Sequence, residues 1–419
     1  MNLLFVTELY PFGHGETFIE NEIQYLSKGF EKVFIYAANL RKNNDESMRP
    51  LPRNVHVYRP KRNPLHPLRL EGICKPIVWR EMQRIRPRNY FFRKLNSCLY
   101  YIQKVRENTA EIDDFINQYQ LNQFKKMIIY SYWLSTIGMT SINLCDALKK
   151  RGIDAKLVSR CHGFDLYKER AHLGYLPFQA YMLQRFDRIF PCSAQGTAYL
   201  QAEFPEYKEK IETDHLGIPD RFHGKWPVQE PFSIVSCSNV VPVKRVRRIA
   251  EALREIKDLK IHWTHFGDGE LFDELKEYGG KKLPENITAV FPGRVANTDI
   301  YRYYQENNVS LFINVSASEG LPVSIMEACS FGIPIIATDV GGTSEIVQAG
   351  VNGILLKEQF TIEDLKQAIQ RFAGMERQEY DGYCRASHAR FEKDFSAEKN
   401  YSAFCQKLIA LAEGKNIES

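Results

Sequence analysis

Short apolar runs alternate with amphipathic segments along most of the chain. The apolar run at residues 3–7 is followed by a glycine-containing loop at 10–17, an amphipathic stretch at 18–28 and a second apolar run at 32–38. Short apolar runs are typical of buried strands, and apolar residues that recur every three or four positions are typical of a helix packed on one face. The start of the chain is therefore predicted to form a strand, a helix and a second strand.

The alternation continues in two series, separated by a proline-bearing stretch at 217–231 that we interpret as a linker. Alternating strands and helices predict parallel sheets with helices on both faces, so two doubly wound, Rossmann-like α/β domains facing a cleft are expected. We place the domains at 1–222 and 223–395, with a final helix at 396–419 packing back on the first. The other strands are predicted at 127–131, 156–160 and 188–191, and then at 232–237, 261–266, 287–291, 310–315, 334–338 and 353–356.

The composition fits two domains, since a single hydrophobic core rarely serves a chain of 419 residues. No stretch approaches the roughly 18 consecutive apolar residues that span a bilayer. The amino terminus lacks the features of a secretion signal, and the nine cysteines include no C-x-x-C pair. A cytoplasmic protein with reduced thiols is therefore expected.

The basic residues are concentrated between residues 59 and 106, where thirteen Lys or Arg face only two acids and aromatic residues are interleaved. Such a stretch can contact the anionic inner face of the plasma membrane, or a phosphate-bearing acceptor. It is equally compatible with a solvated pair of helices whose aromatic residues belong to the core.

Two glutamates flank the start of a predicted helix after the apolar run at 310–315. Pro322 suits the first turn of a helix and Gly332 suits its end, so the helix is predicted at 322–331. Glu319 then lies in the preceding loop, and Glu327 lies within the helix on a face that looks toward the same ligand. An arbitrary pair of this kind would more often be a first-turn charge and a solvated helix residue.

The amino end of this helix offers backbone donors and a partial positive charge, which suit a diphosphate. Proline has no N–H, so the donors would be the amides of Gly320, Leu321 and Val323. Carboxylates accept hydrogen bonds from vicinal hydroxyls, as on a ribose or a sugar ring. The arrangement therefore suits a nucleotide sugar.

The segment that holds these glutamates reads S-x-S-E-G-L-P-V-S-I-M-E-A and continues at residues 332–342 as G-I-P-I-I-A-T-D-V-G-G. It closely resembles the retaining glycosyltransferases of family 4, which have the GT-B fold. The resemblance implies that Glu319 contacts the donor sugar near the reacting centre and that Glu327 holds the nucleotide ribose. It covers residues 232–356 well and the first domain more thinly.

The resemblance further implies a retaining transfer of sugar from a nucleotide diphosphate sugar to a glycan or lipid-linked glycan in cell-surface polysaccharide biosynthesis. In that family the first domain binds the acceptor and the second binds the donor, with UDP-sugars favoured here over GDP-sugars. Retention proceeds without an obvious nucleophile, and the departing diphosphate is thought to assist deprotonation of the acceptor.

Lys244 follows the strand at 232–237, in a loop that resembles the family's source of a cation for the diphosphate. By this resemblance Lys244 is catalytic, although in isolation it would more often be a surface lysine. The family commonly has Arg five residues earlier, where this chain has Asn239, and Arg245 is expected to compensate in part. Arg294, after the strand at 287–291, either contacts the base or pairs with a nearby carboxylate.

In the first domain, the segment C-H-G-F-D after the strand at 156–160 resembles the family's His-Gly-x-Asp segment. That resemblance implies that His162 lies beside the transferred sugar and is catalytic, whereas a lone histidine is more often structural. Asp165 is expected to bind acceptor or orient His162, and it also fits a helix cap. Gly15 resembles the family's glycine loop near the donor, and Glu16 is interpreted as a helix-start acid.

Several motifs are absent. There is no Asp-x-Asp, no H-E-x-x-H, no cysteine cluster and no P-loop, so neither a metal nor a cofactor is expected, and no nucleic-acid partner is expected. Two alternatives stay open: a GT-B nucleotide-sugar epimerase, and a non-catalytic membrane-binding module with a vestigial site.

Overall fold

The computed structural model describes residues 1–13, 15–41, 47–59, 69–85, 90–222 and 224–415. Its contacts divide the chain into unit 1, residues 1–217 with 397–419, and unit 2, residues 218–396. The division falls a few residues before the boundary predicted at 222/223. Ile218 belongs to unit 2 because its N–H donates to Phe395 O at 2.8 Å and it pairs with Ser396.

Unit 1 is built on a six-stranded sheet of order β3-β2-β1-β4-β5-β6, and every neighbouring pair is parallel. The direction of strand order reverses between β1 and β4, and ligands of doubly wound sheets bind where this happens, beyond the carboxyl ends of the strands. β3 was not predicted from the sequence, because it is short and only partly buried. The strands are β1 Asn2–Thr7, β2 Lys32–Ala37, β3 Val55–Tyr58, β4 Lys126–Ser131, β5 Asp154–Cys161 and β6 Arg188–Pro191.

Helices cover both faces of this sheet. The last helix of the chain, α15, packs against the first, α1, and its Phe404 and Leu408 join Phe5 and Tyr130 in one buried cluster. Amphipathic α1 and α15 therefore close one face of unit 1. The helices are α1 Ile19–Gly29, α2 Pro76–Ile85, α3 Phe91–Asn108, α4 Ile112–Gln118, α5 Thr136–Lys149, α6 Gln179–Arg185, α7 Ala194–Glu203 and, after unit 2, α15 Ala397–Glu413.

Unit 2 repeats this architecture with a parallel six-stranded sheet of order β12-β11-β10-β7-β8-β9. Here the order reverses between β10 and β7. The loops that follow these two strands therefore lie at the position where doubly wound sheets bind ligands. The strands are β7 Phe232–Cys237, β8 Ile261–Phe266, β9 Ile287–Gly293, β10 Leu311–Asn314, β11 Ile335–Thr338 and β12 Gly353–Leu356.

The core of unit 2 is one cluster of buried side chains from the sheet and its helices, including Trp263, Ile313 and Phe372. Its helices are α8 Arg247–Arg254, α9 Phe272–Lys282, α10 Asn297–Glu306, α11 Val323–Ser330, α12 Thr343–Ile346, α13 Ile362–Ala373 and α14 Arg377–Asp394. Both sheets thus follow the predicted pattern of parallel strands joined through helices.

The proline-bearing stretch at 217–231 is fixed to unit 2 over much of its length. A Cβ added to Gly332 would lie 2.7 Å from the indole of Trp226, and the Gln229 amide donates to Phe372 O and Met375 O at 2.9 and 2.8 Å. The prolines interrupt the periodicity as expected, but much of the segment that we interpreted as a linker packs against unit 2.

Within the described part of the chain, no helix has both the length and the apolar composition that crossing a membrane requires.

Candidate functional site

The loops after β7 and β10 bring Lys244 and Glu319 together. Lys244 ends a 3₁₀ turn, Pro242–Lys244, and its Nζ lies 2.6 Å from Glu319 Oε1. The same carboxylate oxygen accepts hydrogen bonds from Ser316 Oγ at 2.6 Å and Asn314 Nδ2 at 3.2 Å. Glu319 is buried and Lys244 is partly exposed, so the pair is only partly desolvated. It is a charged pair at the edge where a ligand of this sheet would bind.

Backbone contacts hold the loop that carries Glu319. Ala317 N donates to Val243 O at 2.7 Å, which joins the loops after β7 and β10. Gly341 has a φ of +58°, and a Cβ there would lie 1.8 Å from Glu319 O. The next residue, Gly342, donates its N–H to Gly320 O at 2.7 Å. A side chain at 341 would therefore displace the Glu319 loop, which explains the glycine at this position.

The helix after this loop begins at Val323, one residue later than predicted. Pro322 is its N-cap residue, with extended backbone angles, and does not lie in the first turn. Gly332 adopts a φ of +70° just after the end of the helix, as its position in the sequence indicated. The roles of the Gly320, Leu321 and Val323 amides in binding phosphate stay predictions.

Glu327 is buried on α11. Its Oε1 accepts a hydrogen bond of 2.6 Å from the hydroxyl of Tyr301 on α10. Burial raises the pKa of this carboxyl to about 7, and the Tyr301 hydrogen bond and the positive charge of Arg221 act in the opposite direction. Glu327 is thus a desolvated group with its own hydrogen-bond donor, not a solvated residue of the helix surface.

The Cys237 thiol, at the end of β7, is affected by the charges of both this carboxylate and the lysine. Burial is the main reason that its pKa is raised to about 12; the negative charge of Glu327 raises it further, and the positive charge of Lys244 lowers it. β7 and β10 are neighbouring parallel strands, so Lys244, after β7, and the helix that bears Glu327, after β10, follow the same end of the sheet of unit 2.

The Arg245 side chain, expected to compensate in part for Asn239, is bonded to the backbone of unit 2. Its guanidinium donates to three backbone carbonyls, those of Val315, Ser316 and Glu358, at 2.8 to 2.9 Å. The residue has a φ of +50°, which directs the side chain back onto the loop after β10. Arg245 therefore supports that loop, and the prediction that it binds the donor does not agree with the observed geometry. Asn239 is exposed.

Arg294 pairs with a carboxylate, one of the two alternatives left open by the sequence. Its Nη2 lies 3.0 Å from Asp268 Oδ1 and its Nε lies 3.1 Å from the same atom. Both side chains are exposed, so the pair can exchange partners at little cost. Contact between Arg294 and a nucleotide base stays a prediction.

In unit 1, Glu16 organises the loop after β1. Its carboxylate accepts hydrogen bonds from the backbone N–H groups of residues 8, 9 and 10 at 2.7 to 2.9 Å, and from Trp133 Nε1 at 2.7 Å. Glu16 has a φ of +54°, a conformation uncommon for a residue with a side chain. Our interpretation of Glu16 as a helix-start acid was wrong, because its partners precede the helix or lie after β4.

Gly15 is exposed, and a Cβ added to it would meet no atom within 4 Å. Its carbonyl accepts a hydrogen bond of 2.5 Å from Arg49 Nη2. No crowding within the protein therefore requires glycine here. His14, which splits the glycine pair, lies outside the described residues.

His162 follows β5 and contacts the rings of Tyr132 and Trp133, at centroid distances of 4.7 and 4.4 Å. Both ring nitrogens are buried without a hydrogen-bond partner among the described residues. Burial, helped by the nearby Arg160 cation, lowers the imidazole pKa to about 3. His162 is therefore neutral at physiological pH and has unused hydrogen-bonding capacity.

Asp165 braces the loops after β4 and β5. Its Oδ1 accepts a hydrogen bond from the backbone N–H of His162 at 2.8 Å, and its Oδ2 accepts one from Leu134 N at 2.9 Å. Burial raises the carboxyl pKa to about 6 and these amides oppose the rise. Asp165 fixes the backbone at His162, not its ring. The predicted contact with acceptor stays a prediction that the burial of this carboxylate does not favour.

One group of potential metal ligands is found within the described residues. The ligand atoms of Asp220, His388 and Glu392 all lie within 4.8 Å of one another, and both carboxylates are exposed. Exposed acidic groups of this kind are common without an ion, and metal independence stays a prediction.

Residues 220–384, most of unit 2, match the family model for glycosyl transferases group 1. Over 268 residues the chain is 24% identical to a putative colanic acid biosynthesis glycosyltransferase, WcaL, of Escherichia coli K12, covering 62% of this chain and 64% of that protein. Over 160 residues it is 29% identical to the amylovoran biosynthesis glycosyltransferase AmsK of Erwinia amylovora, covering 36% and 39%. The chain thus spans about two thirds or less of the length of these relatives.

Solved structures with similar folds cover almost the whole chain. The sucrose-phosphate synthase of Thermosynechococcus elongatus superposes with a TM-score of 0.70 at 15% identity, covering 99% of this chain and all of that chain. Anabaena Alr3699/HepE, solved in complex with UDP-glucose, gives 0.65 at 15% identity, covering 98% and 100%. The predicted GT-B fold of two Rossmann-like α/β domains is confirmed. The group 1 match spans several families, so membership of family 4 and retention stay predictions.

Proposed function

We propose that the chain is a retaining, metal-independent glycosyltransferase. It transfers a sugar from a UDP-sugar to a glycan or glycolipid acceptor in cell-surface polysaccharide biosynthesis. The observation that carries the proposal is the Lys244–Glu319 pair, 2.6 Å apart, directly ahead of the helix that bears Glu327. A cation and two carboxylates at one end of a doubly wound sheet match the phosphates and hydroxyls of a nucleotide sugar.

In this proposal unit 2 binds the donor. Lys244 is a compact cation that neutralises the charge developing on the departing diphosphate. Glu319 accepts hydrogen bonds from hydroxyls of the donor sugar, and Glu327 accepts them from the ribose. The pairing of Lys244 with Glu319 keeps both side chains in place before the donor arrives, so little reorganisation accompanies binding.

Unit 1 binds the acceptor and supplies His162. Its neutral imidazole, whose two nitrogens have no partner among the described residues, can support positive charge at the anomeric carbon. The motif resemblance supports retention and assistance by the leaving diphosphate. Support for polysaccharide biosynthesis comes from the names of WcaL and AmsK, and support for UDP comes from the HepE complex with UDP-glucose.

Calorimetric titration with UDP, GDP and their sugars tests the proposal. We expect micromolar to millimolar binding of UDP and one UDP-sugar, with weaker binding of GDP. Binding should raise the melting temperature by mass action. The Glu319→Gln variant, which keeps the shape of the side chain, should lose affinity for the sugar nucleotide more than for UDP. An absence of binding to any nucleotide would contradict the proposal and favour a vestigial site, whereas conversion of the donor sugar without acceptor would indicate an epimerase.

The proposal includes contact of unit 1 with an anionic membrane. On α2 and α3, which pack against each other, Trp79 and Phe92 are 52% and 82% exposed, and Arg80 is exposed beside Trp79. Glu81, one of the two acids of the basic stretch, is buried and accepts a 2.5 Å hydrogen bond from Tyr175. Lys94 of the same stretch is also buried, so burial removes one acid and one base from the exposed surface of these helices. Residues 60–68 and 86–89 of the stretch lie outside the described residues.

Flotation with vesicles containing phosphatidylserine measures this contact. We expect the protein to float with such vesicles and the triple variant Trp79→Ser, Arg80→Glu, Phe92→Ser to remain at the bottom, since anchoring aromatics and a cation are lost. A matched control replaces two exposed valines of unit 2, Val290 and Val351, by serine, with no expected change. Equal partitioning of the triple variant and the wild type would remove the membrane contact from the proposal.

A further inference from the structure

Three side chains from separate parts of unit 2 form a connected group around the buried carboxylate of α11. Arg221 precedes β7, Tyr301 lies on α10 and Glu327 lies on α11. The guanidinium carbon of Arg221 is 4.3 Å from the centroid of the Tyr301 ring, and the Tyr301 hydroxyl donates to Glu327 at 2.6 Å. Tyr301 therefore contacts both the arginine and the carboxylate.

The Arg221 guanidinium lies over the aromatic ring, and its Nε is buried without a hydrogen-bond partner among the described residues. A cation over an aromatic face is attracted by the negative charge density of the ring. The other side chain stacked near Tyr301 is Phe331, with centroids 6.3 Å apart and an interplanar angle of 28°. Together these contacts restrict the direction in which the Tyr301 hydroxyl points.

Both residues oppose the effect of burial on the Glu327 carboxyl. Burial favours its protonated form, whereas the Tyr301 hydrogen bond and the Arg221 charge favour the ionised form. Two further titratable groups near Glu327 are the Cys237 thiol at the end of β7 and the Tyr304 hydroxyl on α10. Both have raised pKa values with Glu327 among the causes, so both are neutral at physiological pH.

We propose that Tyr301 and Arg221 are positioning residues for nucleotide recognition: Tyr301 orients the Glu327 carboxylate toward the ribose hydroxyls, and Arg221 holds the Tyr301 ring in place. An ionised carboxylate only accepts hydrogen bonds, so it can serve Tyr301 and the hydroxyls of a ribose together. A protonated carboxyl loses part of this capacity. The inference rests on the proposed function, because it takes the ligand of Glu327 to be a ribonucleoside diphosphate.

Affinity for the nucleotide should depend on pH, because it depends on the ionisation of Glu327. In the wild type, ionisation of Glu327 is lost as the pH falls through about 7, and affinity for the nucleotide should fall with it. Removing the Tyr301 hydroxyl or the Arg221 charge raises the pKa further, so the loss of affinity should occur at higher pH. At pH 7, where the wild-type carboxyl is about half ionised, a rise of one unit in this pKa should weaken binding by about fivefold.

Calorimetric titration of the full chain with UDP between pH 5.5 and 9 tests the inference. The variants Tyr301→Phe and Arg221→Gln should shift the midpoint of the pH dependence upward, and Glu327→Gln should abolish the step. Arg221→Lys keeps a cation over the ring and should restore the wild-type midpoint. Titration of UDP itself is common to all variants and cancels in the comparison.

Matched controls come from the same helix. Tyr303→Phe removes a hydroxyl that bonds with Thr264, and Arg302→Gln removes an exposed cation paired with Asp299, so both should keep the wild-type profile. If Tyr301→Phe does not fold, the comparison of Arg221→Gln with Arg221→Lys tests the inference. An unchanged midpoint in Arg221→Gln or in folded Tyr301→Phe would overturn this inference but not the proposed function. Wild-type protein that binds no nucleotide at any pH would overturn the proposed function and this inference with it.

Discussion

Replacing Lys244 by alanine is expected to lower the rate of sugar transfer by about two to three orders of magnitude, the usual cost of removing one charged group that stabilises a transition state. The lysine Nζ lies 2.6 Å from Glu319 Oε1, so the substitution also leaves a buried carboxylate without its cation. That uncompensated negative charge would repel the diphosphate. Affinity for UDP should therefore fall too, by about tenfold, in addition to the loss in rate.

The measurement is the release of UDP from the donor under single-turnover conditions, together with the dissociation constant of UDP. Lys281→Ala is the matched control, because this exposed lysine of the same unit pairs with Glu277 on the surface of α9. It should keep wild-type values. A Lys244→Ala variant that retains the wild-type rate would show that this cation does not serve the leaving group.

Replacing Arg160 by methionine is expected to destabilise unit 1 by about 3 to 5 kcal/mol. Arg160 is the fully buried cation of an ion-pair network, and its removal leaves the carboxylates of that network without this partner. Arg160 and Glu22 are both fully buried, with Nε and Oε1 3.4 Å apart, and Arg160 Nη2 lies 3.0 Å from Asp214 Oδ1. The guanidinium also lies over Phe404 of α15, at 4.2 Å. Methionine fills the volume but leaves both carboxylates without this partner.

Urea unfolding followed by circular dichroism measures the loss in the free energy of unfolding. Arg151→Met is the control: its ion pair with Asp113 is exposed, and such pairs contribute about 0 to 1 kcal/mol. Since Arg160 lies two residues before His162, the variant should also loosen the loop that carries the histidine. A loss no larger than that of the control would mean that the network is not a main source of stability in unit 1.

The order of strands and helices was predictable because it depends on local patterns. Apolar runs such as 232–237 and 261–266 have the length and flanking turns of buried strands, and both strands occupy those residues in the structure. β3 was missed since its four residues, Val55–Tyr58, give too short a pattern to distinguish from a loop. The resemblance placed Lys244 and Glu319 at one ligand, but their ion pair was not predicted, because it depends on β7 and β10 being neighbours in the sheet.

The use of the remaining polar side chains could not be read from local patterns. Arg245 was expected to face a diphosphate, but it donates to carbonyls more than 60 positions away in the sequence. Glu16 is an acid just before a predicted helix, which is typical of a helix start, yet one of its partners is the indole of Trp133. In each case the choice among possible partners depends on which loops the sheet brings together.

Local sequence thus establishes where strands and helices form and which loops can hold a nucleotide, because periodicity and turn residues act over a few positions. Folding decides the charge and direction of the groups in those loops. Arg221 lies 106 positions before Glu327, and Tyr301 lies on another helix; only the packed unit places these three in contact. Burial, which shifts the pKa values of Glu327 and His162 in opposite directions, likewise exists only once the chain has packed.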